Sequence, residues 1–543
     1  MKLFNRMLLA FGLLAMTAVQ ADNFAYVASG TNTKQPKPEL SIVNTTTGKL
    51  VGTLVMPNEA GAVATLPNSK GNRVYVVASS QNGSTYIHTI DANLNEVTDT
   101  TIFSVYNPND GSGIRIDTAA LSPDDRWLFL ATNPNTSTTA GASLYLVDLK
   151  NHGDRFPVFT IGGGSTAQAM AVSPDGHFVA IVRSNYWEGG PIVPSEQNKA
   201  QFVSVVTLLD LQRVTAIIDA AKAREPAELE SGVAEDKTTL AFIKANAIAG
   251  DTVFTIPAPM DLTRENASAG LVFSPDPTDP DNKPLRLFVA NSWADTVSML
   301  QIGAADSQAW LADNPSYDPN IQALYNEFPS QYTLQQAAAP IPFPKDSAPY
   351  GLAMTPDNKT LYVTLSRRWD MEWNTSTIPF DGDIMLADVT DTLTPGAPKK
   401  LAGVYLWAPK YTSFHPRAIS VLDAGLGNGA VNLVFIKQVV GSTTDDKSQE
   451  DGYYVSTVLA RYDELRGQTS YAEVTPNVKV NSSQKAPIFF NGDFVGEDCE
   501  SCPKGPEDDR RRRLNPPTAV DPWWLLLVGA TLWATRRIYR IRH

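Results

Sequence analysis

The clearest pattern along the chain is an apolar run, a short polar turn that contains Pro-Asp, and a second apolar run. Ala169–Val182 has this order, with Ser173-Pro-Asp-Gly between the two apolar halves. Similar segments lie at 63–77, 119–131, 270–290 and 351–363. Proline fixes φ for a turn and aspartate hydrogen-bonds the local backbone, so each segment predicts two antiparallel strands joined by a turn.

The spacing of these segments predicts a repeated sheet. Pro123 and Pro174 lie 51 residues apart, and a unit of about 50 residues fits a four-stranded propeller blade. A third apolar run follows each turn, as at Leu144–Leu149 and Val206–Leu211, and the runs at 416–421, 431–436 and 455–459 predict the last blade. Residues 22–495 are therefore predicted to form an all-β domain, a β-propeller of about seven four-stranded antiparallel blades. Segments of helical composition at 216–229, 241–247 and 307–339 predict small helical insertions.

The repeated segments resemble the YVTN family of β-propellers. The resemblance is carried by Ser173-Pro-Asp-Gly and by the strands Leu287–Asn291 and Leu361–Thr364. It covers most of the chain outside the termini and implies a propeller fold. The wider group includes surface-layer repeats, lactonase-like enzymes and quinoprotein-type dehydrogenase subunits. The repeat itself is blade scaffolding, so the resemblance carries no catalytic motif to this chain.

The N-terminal residues 1–21 are predicted to be a signal peptide. Basic residues within Met1–Arg6 precede the apolar run Met7–Thr17, and Val19-Gln-Ala21 fits the small-residue rule for cleavage. The sequence therefore predicts export across the inner membrane, to the periplasm or the cell surface.

The C-terminal residues 522–543 are predicted to be a membrane helix with a basic end. Pro522–Thr535 is apolar and has tryptophan near both ends, and Arg536–Arg542 carries four arginines. This order resembles bacterial tripartite C-terminal sorting tails, which implies that a protease removes the helix. A permanent anchor is the alternative. Either way, the exported domain is predicted to be held at the membrane at least transiently.

Residues 496–521 are predicted to be a charged linker that contains both cysteines of the chain, Cys499 and Cys502. Two thiols cannot complete a four-ligand zinc site alone. The exported context favours a local disulfide, while a role in processing or lipid attachment and a catalytic role are the alternatives.

The charge of the chain bears on its partners. The 543 residues carry a formal net charge of −13, which argues against nucleic acid because phosphates need basic patches.

Polar and aromatic residues follow several predicted second strands. Successive turns of a four-stranded meander alternate between its two faces, so these residues are expected to gather on the face opposite the Pro-Asp turns. The predicted ligand-binding residues of this face are Arg183, Trp187, Trp293, Arg367, Arg368, Trp369, His415 and Arg417. Such a face suits a protein, glycan or small-molecule ligand. The alternative is ordinary packing at the rim with solvated arginines.

The sequence predicts no cofactor apart from one candidate calcium site. The five histidines are scattered along the chain, which argues against a multi-histidine metal centre. Asp276, Asp279 and Asp281 lie close together and supply the oxygen ligands that Ca²⁺ takes. The alternative is a solvated loop stiffened by proline.

These features favour an exported, membrane-tethered binding or scaffold module. The alternative is a lactonase-like hydrolase or isomerase that uses the Trp/Arg face with His415 or an acid. A third class, a dehydrogenase-like subunit with a quinone, lacks a recognisable cofactor constellation. The two leading classes differ in that an enzyme needs acids or histidines that converge on the face and have shifted pKa values.

Overall fold

A computed structural model of the chain describes the residues that build its sheets and many of its turns. The described residues are 24–28, 39–45, 47–56, 61–80, 84–104, 115–133, 143–150, 154–160, 166–186, 203–211, 214–215, 219, 252–256, 270–275, 285–292, 294–304, 332–344, 347–365, 380–381, 383–401, 411–423, 431–442, 452–463, 468–473, 478–480 and 488–491. All of them belong to one compact unit, Met1–Phe494. The predicted signal peptide, linker and C-terminal helix lie outside the described residues.

The described elements are almost entirely strands. Those in the first part of the chain are β1 (Phe24–Ala28), β2 (Glu39–Asn44), β3 (Lys49–Val55), β4 (Gly61–Pro67), β5 (Arg73–Ser79), β6 (Ser84–Asp91), β7 (Glu96–Ser104), β8 (Arg115–Leu121), β9 (Trp127–Asn133), β10 (Ser143–Asp148) and β11 (Asp154–Thr160). Those in the middle are β12 (Thr166–Val172), β13 (Phe178–Tyr186), β14 (Val203–Asp210), β15 (Thr252–Ile256), β16 (Gly270–Pro275), β17 (Leu285–Asn291), β18 (Thr296–Ala304), β19 (Tyr332–Gln336) and β20 (Ile341–Pro342). The last are β21 (Pro349–Met354), β22 (Thr360–Leu365), β23 (Phe380–Asp381), β24 (Asp383–Asp388), β25 (Lys399–Lys400), β26 (Tyr411–Asp423), β27 (Val431–Ser442), β28 (Gly452–Asp463), β29 (Gln468–Glu473), β30 (Val478–Val480) and β31 (Ile488–Asn491).

Within the described residues these strands pair into seven small sheets, which we number along the chain. Sheet 1 is β31-β1-β2-β3, sheet 2 is β4 to β7, sheet 3 is β8 to β11, and sheet 4 is β12 to β15. Sheet 5 is β16 to β19 with β20 also on β18, sheet 6 is β21-β22-β24-β25, and sheet 7 is β23-β26-β27-β28-β29 with β30 also on β28. Among the described strands every pairing is antiparallel except that of β23 with β26.

The inner strands of successive sheets contact one another in a closed cycle. The cycle runs through β4, β8, β12, β16, β21, β26 and β31 and returns to β4. Each sheet is a meander that leads outward from its inner strand, apart from the parallel pairing of β23. Consecutive meanders around a closed cycle of inner strands are the arrangement of a β-propeller.

The hydrophobic core lies between neighbouring sheets. Seven clusters of buried side chains each join two adjacent sheets, from sheets 1 and 2 around to sheets 7 and 1. Both faces of a sheet are therefore covered, and a strand in its middle is buried along nearly its whole length. In β5, for example, only the first residue is exposed. This explains why the second strands of the repeat are continuous apolar runs without alternation.

The Pro-Asp turns are closed by the same hydrogen bonds in sheets 3, 4 and 6. The hydroxyl of the first turn residue donates to the aspartate two positions later, at 2.5 Å for Ser122 and Ser173 and 2.6 Å for Thr355. The same oxygen accepts the backbone N–H five positions later, at 2.8, 2.8 and 3.0 Å. In sheet 2 the side-chain oxygen of Asn68 accepts the equivalent N–H of Arg73 at 2.9 Å. The first turn residue therefore fixes the whole turn.

The turns of neighbouring sheets also contact one another, so they define one face of the ring, which we call the turn face. Ser69 of sheet 2 donates through N–H and Oγ to the carboxylate of Asp125 of sheet 3, both at 2.6 Å. Ser274 of sheet 5 donates to Asn358 Oδ1 of sheet 6 at 3.2 Å. The predicted placement of the Pro-Asp turns on one face agrees with these contacts.

Sheet 5 replaces the usual turn with a longer connection and a buried arginine. β16 ends at Pro275 and β17 begins at Leu285. The side chain of Arg286 is fully buried and donates to Ser274 Oγ, to Pro275 O, and to the carbonyls of Asn358 (2.8 Å) and Val389 (2.5 Å). A guanidinium offers five donors, so this single side chain joins the turn end of sheet 5 to sheet 6.

Two sequence predictions about insertions and strand lengths need correction. A helical insertion was predicted at 307–339, but Tyr332–Gln336 within it is the strand β19. Leu334 of this strand is buried in the core between sheets 4 and 5. The last blade was predicted at 416–421, 431–436 and 455–459, whereas β26, β27 and β28 are 12 or 13 residues long. Leu211, Val214, Thr215 and Asp219 are helical, while the rest of 216–229 and all of 241–247 lie outside the described residues.

Removing the hydroxyl of a turn should destabilise the ring measurably. Ser173 is fully buried, so S173A leaves the N–H of Phe178 and the carboxylate of Asp175 without this partner. We expect a loss of about 1–3 kcal/mol in the free energy of unfolding, measured by urea denaturation. S173T should retain most of the unfolding free energy, because Thr355 fills the equivalent position in sheet 6. T98A, at an exposed hydroxyl, is the matched control. Equal effects of S173A and T98A would contradict this role.

A buried histidine lies between sheets 1 and 2. His88 of β6 is fully buried, and its Nδ1 lies 3.0 Å from Thr100 Oγ1. Val76 stands opposite it in the ladder and belongs to the core between these two sheets. Burial lowers the pKa of His88 to about 4, because the charged imidazolium would have to be desolvated.

This burial predicts that acid weakens the fold. The unfolded chain binds a proton near pH 6.5 and the folded chain only near pH 4, so the stabilisation is complete above pH 6.5 and is lost as pH falls towards 4. The loss from this one group should be on the order of 2–3 kcal/mol. H88M should therefore flatten the dependence of unfolding free energy on pH across this interval, compared with the unsubstituted protein. An unchanged pH profile in H88M would show that His88 does not titrate as inferred.

Candidate binding face

The face opposite the turn face, which we call the bulge face, carries irregularities in the first part of the inner strands. In five of the seven sheets the ladder between the first and second strands shifts register near that end. The shifts fall at Ala62/Ala64, Ile116/Thr118, Ala167/Ala169, Pro349/Leu352 and Pro416/Ile419. A bulge leaves a residue outside the pairing and re-aims the backbone, and bulges are common beside binding sites.

The residues at these bulges occupy equivalent positions. Val63, Asp117, Gln168 and Tyr350 each stand five positions before the first residue of their turn, which is Asn68, Ser122, Ser173 and Thr355 respectively. In sheet 7 the bulge contains Arg417, one of the predicted binding residues. Since the inner strands form a closed cycle, these positions form a ring of their own on this face. Asp117 and Gln168 were not among the predicted site residues, although their fixed offset from the turn was a usable signal.

The turn that contains Trp293 is clamped to the link between sheets 5 and 6. Ser292 Oγ donates to Pro349 O at 2.6 Å, and Asp295 Oδ1 accepts the N–H of Ala348 at 2.9 Å. Both Asp295 and Ala348 have left-handed backbone conformations, with φ of 52° and 47°. Trp293 itself lies outside the described residues, but its neighbours hold a tight turn against the start of β21.

A similar contact joins sheets 2 and 3. Ser79, the last residue of β5, accepts the N–H of Ile116 through Oγ at 3.0 Å. Ile116 borders the bulge of β8. A hydroxyl at the end of a second strand thus fixes the backbone at the start of the next sheet's inner strand, as Ser292 does between sheets 5 and 6. The bulges are therefore positioned by neighbouring sheets as well as by their own.

Sheet 7 extends beyond the others on this face. Its strands β26, β27 and β28 have 13, 12 and 12 residues, compared with six in each of β21, β22 and β24 of sheet 6. The short β23 lies parallel to the start of β26, with Phe380 opposite Ser413 and Asp381 opposite Phe414. β23 thus brings the chain that follows β22 of sheet 6 beside β26, close to His415 and Arg417.

The predicted binding residues are only partly located. Arg183 was expected after its strand, but it lies inside β13, which continues to Tyr186, and it pairs with Ala167 and Val205. His415 and Arg417 lie in β26. The remaining five lie outside the described residues: Trp187, Trp293, Arg367, Arg368 and Trp369. The same holds for Asp276, Asp279 and Asp281 of the candidate calcium site and for Cys499 and Cys502.

Groups with clearly shifted pKa values in the described part of the chain belong to the turn face or the interior. Burial raises the pKa of Tyr26, whose hydroxyl donates to Asn95 Oδ1 in a turn of sheet 2, and it raises that of Tyr362 near Asp357. Hydrogen bonds from Thr394 and Leu393 lower the pKa of Asp391.

Among the residues that the structure describes, no group of three or more histidine, cysteine or acidic side chains is arranged to hold a metal ion. No helix among them is both long and apolar enough to cross a membrane.

Comparison with known proteins gives structural similarity without a family assignment. No family model matches the chain, and no curated protein matches it in sequence.

Several solved structures are similar in the course of the chain. A "putative 6-phosphogluconolactonase" from Bacteroides fragilis shares 12% identity and a TM-score of 0.45, covering 87% of this chain and 99% of its own. A "hypothetical selenium-binding protein" from Sulfolobus tokodaii shares 13% identity and a TM-score of 0.44, covering 89% and 96%. The Dos1 propeller shares 12% identity and a TM-score of 0.37, covering 78% and 85%. None of these similarities assigns an activity to the chain.

The clamp beside Trp293 yields a prediction about stability. D295A removes the acceptor for the N–H of Ala348 and leaves alanine in a left-handed conformation, so we expect a loss of about 1–3 kcal/mol in unfolding free energy. D295N should lose less, because asparagine keeps an acceptor oxygen and tolerates positive φ. D99A, at an exposed aspartate of β7, should change stability by less than about 0.5 kcal/mol. A D295A protein as stable as D99A would show that the clamp does not hold this turn.

Proposed function

We propose that the chain is an exported, membrane-tethered β-propeller of seven blades that acts as a binding module through the bulge face. The seven sheets, their closed cycle of inner strands and their seven intervening cores support the blade number. The basic and apolar pattern of residues 1–21 and 522–543 supports export and tethering. The expected partner is a protein, a glycan or a small molecule.

The observation that carries the binding role is the difference between the two faces. On the turn face the same hydrogen-bonded turn recurs, and neighbouring turns are bonded to one another. On the opposite face five first strands carry bulges and sheet 7 extends beyond the ring. Binding sites are commonly built from irregular segments that a rigid scaffold positions, and this description fits the bulge face.

The lactonase-like hydrolase remains the second candidate. Its requirement is a pair of acids or histidines that converge on the bulge face. Asp117 and His415 are residues of that kind, one at a bulge of β8 and one beside the bulge of β26. They lie in sheets 3 and 7, so a hydrolase that used both would need them to meet across the ring.

The location of the protein is tested by fractionating cells that produce the full chain or a chain ending at residue 521. We expect the full chain in the membrane fraction, cleaved before Asp22 and open to added protease from the outer side. The shortened chain should be exported and soluble. Intact mass separates a permanent anchor, which keeps His543, from processing within 499–521. A full-length chain with both termini intact in the soluble fraction would overturn tethering in either form.

The binding role is tested with W293A and W369A, two tryptophans that are predicted to lie on the bulge face. An array of proteins and oligosaccharides is probed with the full chain, and we expect capture that falls at least about tenfold in both variants. Thermal unfolding within about 2 °C of the unsubstituted protein would show that the fold is intact. Hydrolysis of glucono-δ-lactone that D117N abolishes would instead support the hydrolase. Capture that neither tryptophan affects would place the site elsewhere and overturn the assignment of this face.

A further inference from the structure

The outermost strands of the sheets differ in how their free edges are protected. Among the described strands, the outer ends of the sheets are β3, β7, β11, β15, β19, β25 and β29. A free edge offers unpaired N–H and C=O groups to any other strand, so proteins commonly shorten, bulge or charge it. β25 consists of two exposed lysines, β3 has a bulge within it, and β11 contains Pro157 beside a bulge. β15 and β19 have only five residues each.

β7 is the longest of these outer strands and lacks such protection over most of its length. It has nine residues, and its register shift lies near its start, between Val97 and Asp99. The six residues from Asp99 to Ser104 pair regularly with β6 and include no proline or lysine. No described strand pairs with their outer side. β7 therefore presents a regular free edge of six residues.

The side chains of this edge are exposed on both faces of β7. Thr100 stands opposite His88, on the face that is turned towards sheet 1, and Ile102 follows two positions later on the same face. Ile102 is 60% exposed. Asp99 lies on the other face, towards sheet 3, and is also exposed. An added strand would thus find an apolar side chain on one face and a carboxylate on the other.

The outer part of the gap between sheets 1 and 2 has unfilled space. Gly52 of β3 stands opposite Ile42, which belongs to the core between these two sheets. A side-chain carbon added at Gly52 would meet no other atom within 4 Å. Leu54 of the same strand packs against that core but is only partly buried. Side chains of an added strand that face sheet 1 would therefore have room and apolar surface to cover.

We propose that the free edge of β7 binds an extended, cationic segment of another protein, which joins sheet 2 as an antiparallel fifth strand. The backbone of the edge supplies the hydrogen bonds, as in other complexes that form by strand addition. Alternate residues of the segment face opposite sides, with apolar residues beside Ile102 and Thr100 and a lysine or arginine beside Asp99. This surface lies at the outer rim of the ring and is separate from the bulge face.

Charge favours a cationic partner over a second copy of the chain. The exposed side chains of β7 include two carboxylates, Glu96 and Asp99, and no cation. The whole chain has a net charge of −13, so a second copy would be repelled and a basic segment attracted. Like charges on paired strands are also destabilising, whereas opposite charges stabilise the pair.

The test uses the full chain in detergent and a fluorescein-labelled peptide, Thr-Thr-Val-Thr-Val-Lys-Thr, followed by fluorescence polarisation. Its lysine stands opposite Asp99 when its first valine stands opposite Ile102. We expect saturable binding, and at least about tenfold weaker binding of the same peptide with glutamate in place of lysine. D99K should reverse this preference. I102K should weaken binding of the lysine peptide at least about fivefold. V55K adds the same charge at a similarly exposed position on the other face of β3, so it should change the dissociation constant less than about twofold.

Backbone methylation separates strand addition from simple charge attraction. Two versions of the lysine peptide carry N-methyl groups on alternate residues, at either the odd or the even positions. Because an added strand bonds its neighbour through alternate N–H groups, one version should lose binding and the other should retain it. Equal binding of both versions, equal binding of the lysine and glutamate peptides, or no saturable binding below about 1 mM would overturn the proposal. A dimer of the full chain in sedimentation velocity that I102K dissociates would identify a second copy as the occupant and would also overturn it.

Discussion

The structure depends on covering both faces of every sheet. Each of the seven cores joins two neighbouring sheets, so one face of sheet 1 and one face of sheet 7 stay uncovered until the ring is closed. Closure rests on the ladder between β1 and β31, which pairs Phe24 with Asn491 and Val27 with Ile488 across almost the whole propeller. The entropic cost of closing a loop grows only slowly with its length, so one short ladder at the end of a long chain is sufficient. Tyr26 of that ladder also donates to Asn95, which ties the closing sheet to sheet 2.

Closing the ring does not require the turn face and the bulge face to have the same structure. On the turn face a hydroxyl and an aspartate bond the backbone at the tight turns of sheets 3, 4 and 6, and Arg286 bonds backbone carbonyls where the turn of sheet 5 is lengthened. Hydrogen bonds within and between sheets pair many of the buried polar groups there, so substitutions on that face should cost stability. On the bulge face the irregular residues are held by contacts such as Ser79 to Ile116 and Asp295 to Ala348. Those contacts hold the backbone through its N–H groups, so they do not restrict which side chains the bulge residues carry.

The sequence predicted the features whose causes are local. Ser173-Pro-Asp-Gly specifies its own turn, because every group that closes the turn lies within six residues, and the strands beside it follow. The bulges at Asp117 and Gln168 were not predicted, since a register shift depends on the partner strand and the neighbouring sheet. The pairing of Ile488–Asn491 with β1 was missed because a four-residue strand has no periodicity to detect. The length of sheet 7 was underestimated for a related reason, as its upper residues follow no repeat.

The length of sheet 7 is the feature that the ring does not require. Closing the propeller needs strands of five or six residues, as sheets 1 and 6 show. Ordering each additional residue costs about 1–2 kcal/mol of backbone entropy, which burial normally offsets. The raised residues gain ladder hydrogen bonds from one another and from β23 and β30. Because β23 follows β22 of sheet 6 and β30 precedes the closing strand β31, the longer ladder holds the chain segments on both sides of sheet 7 beside it.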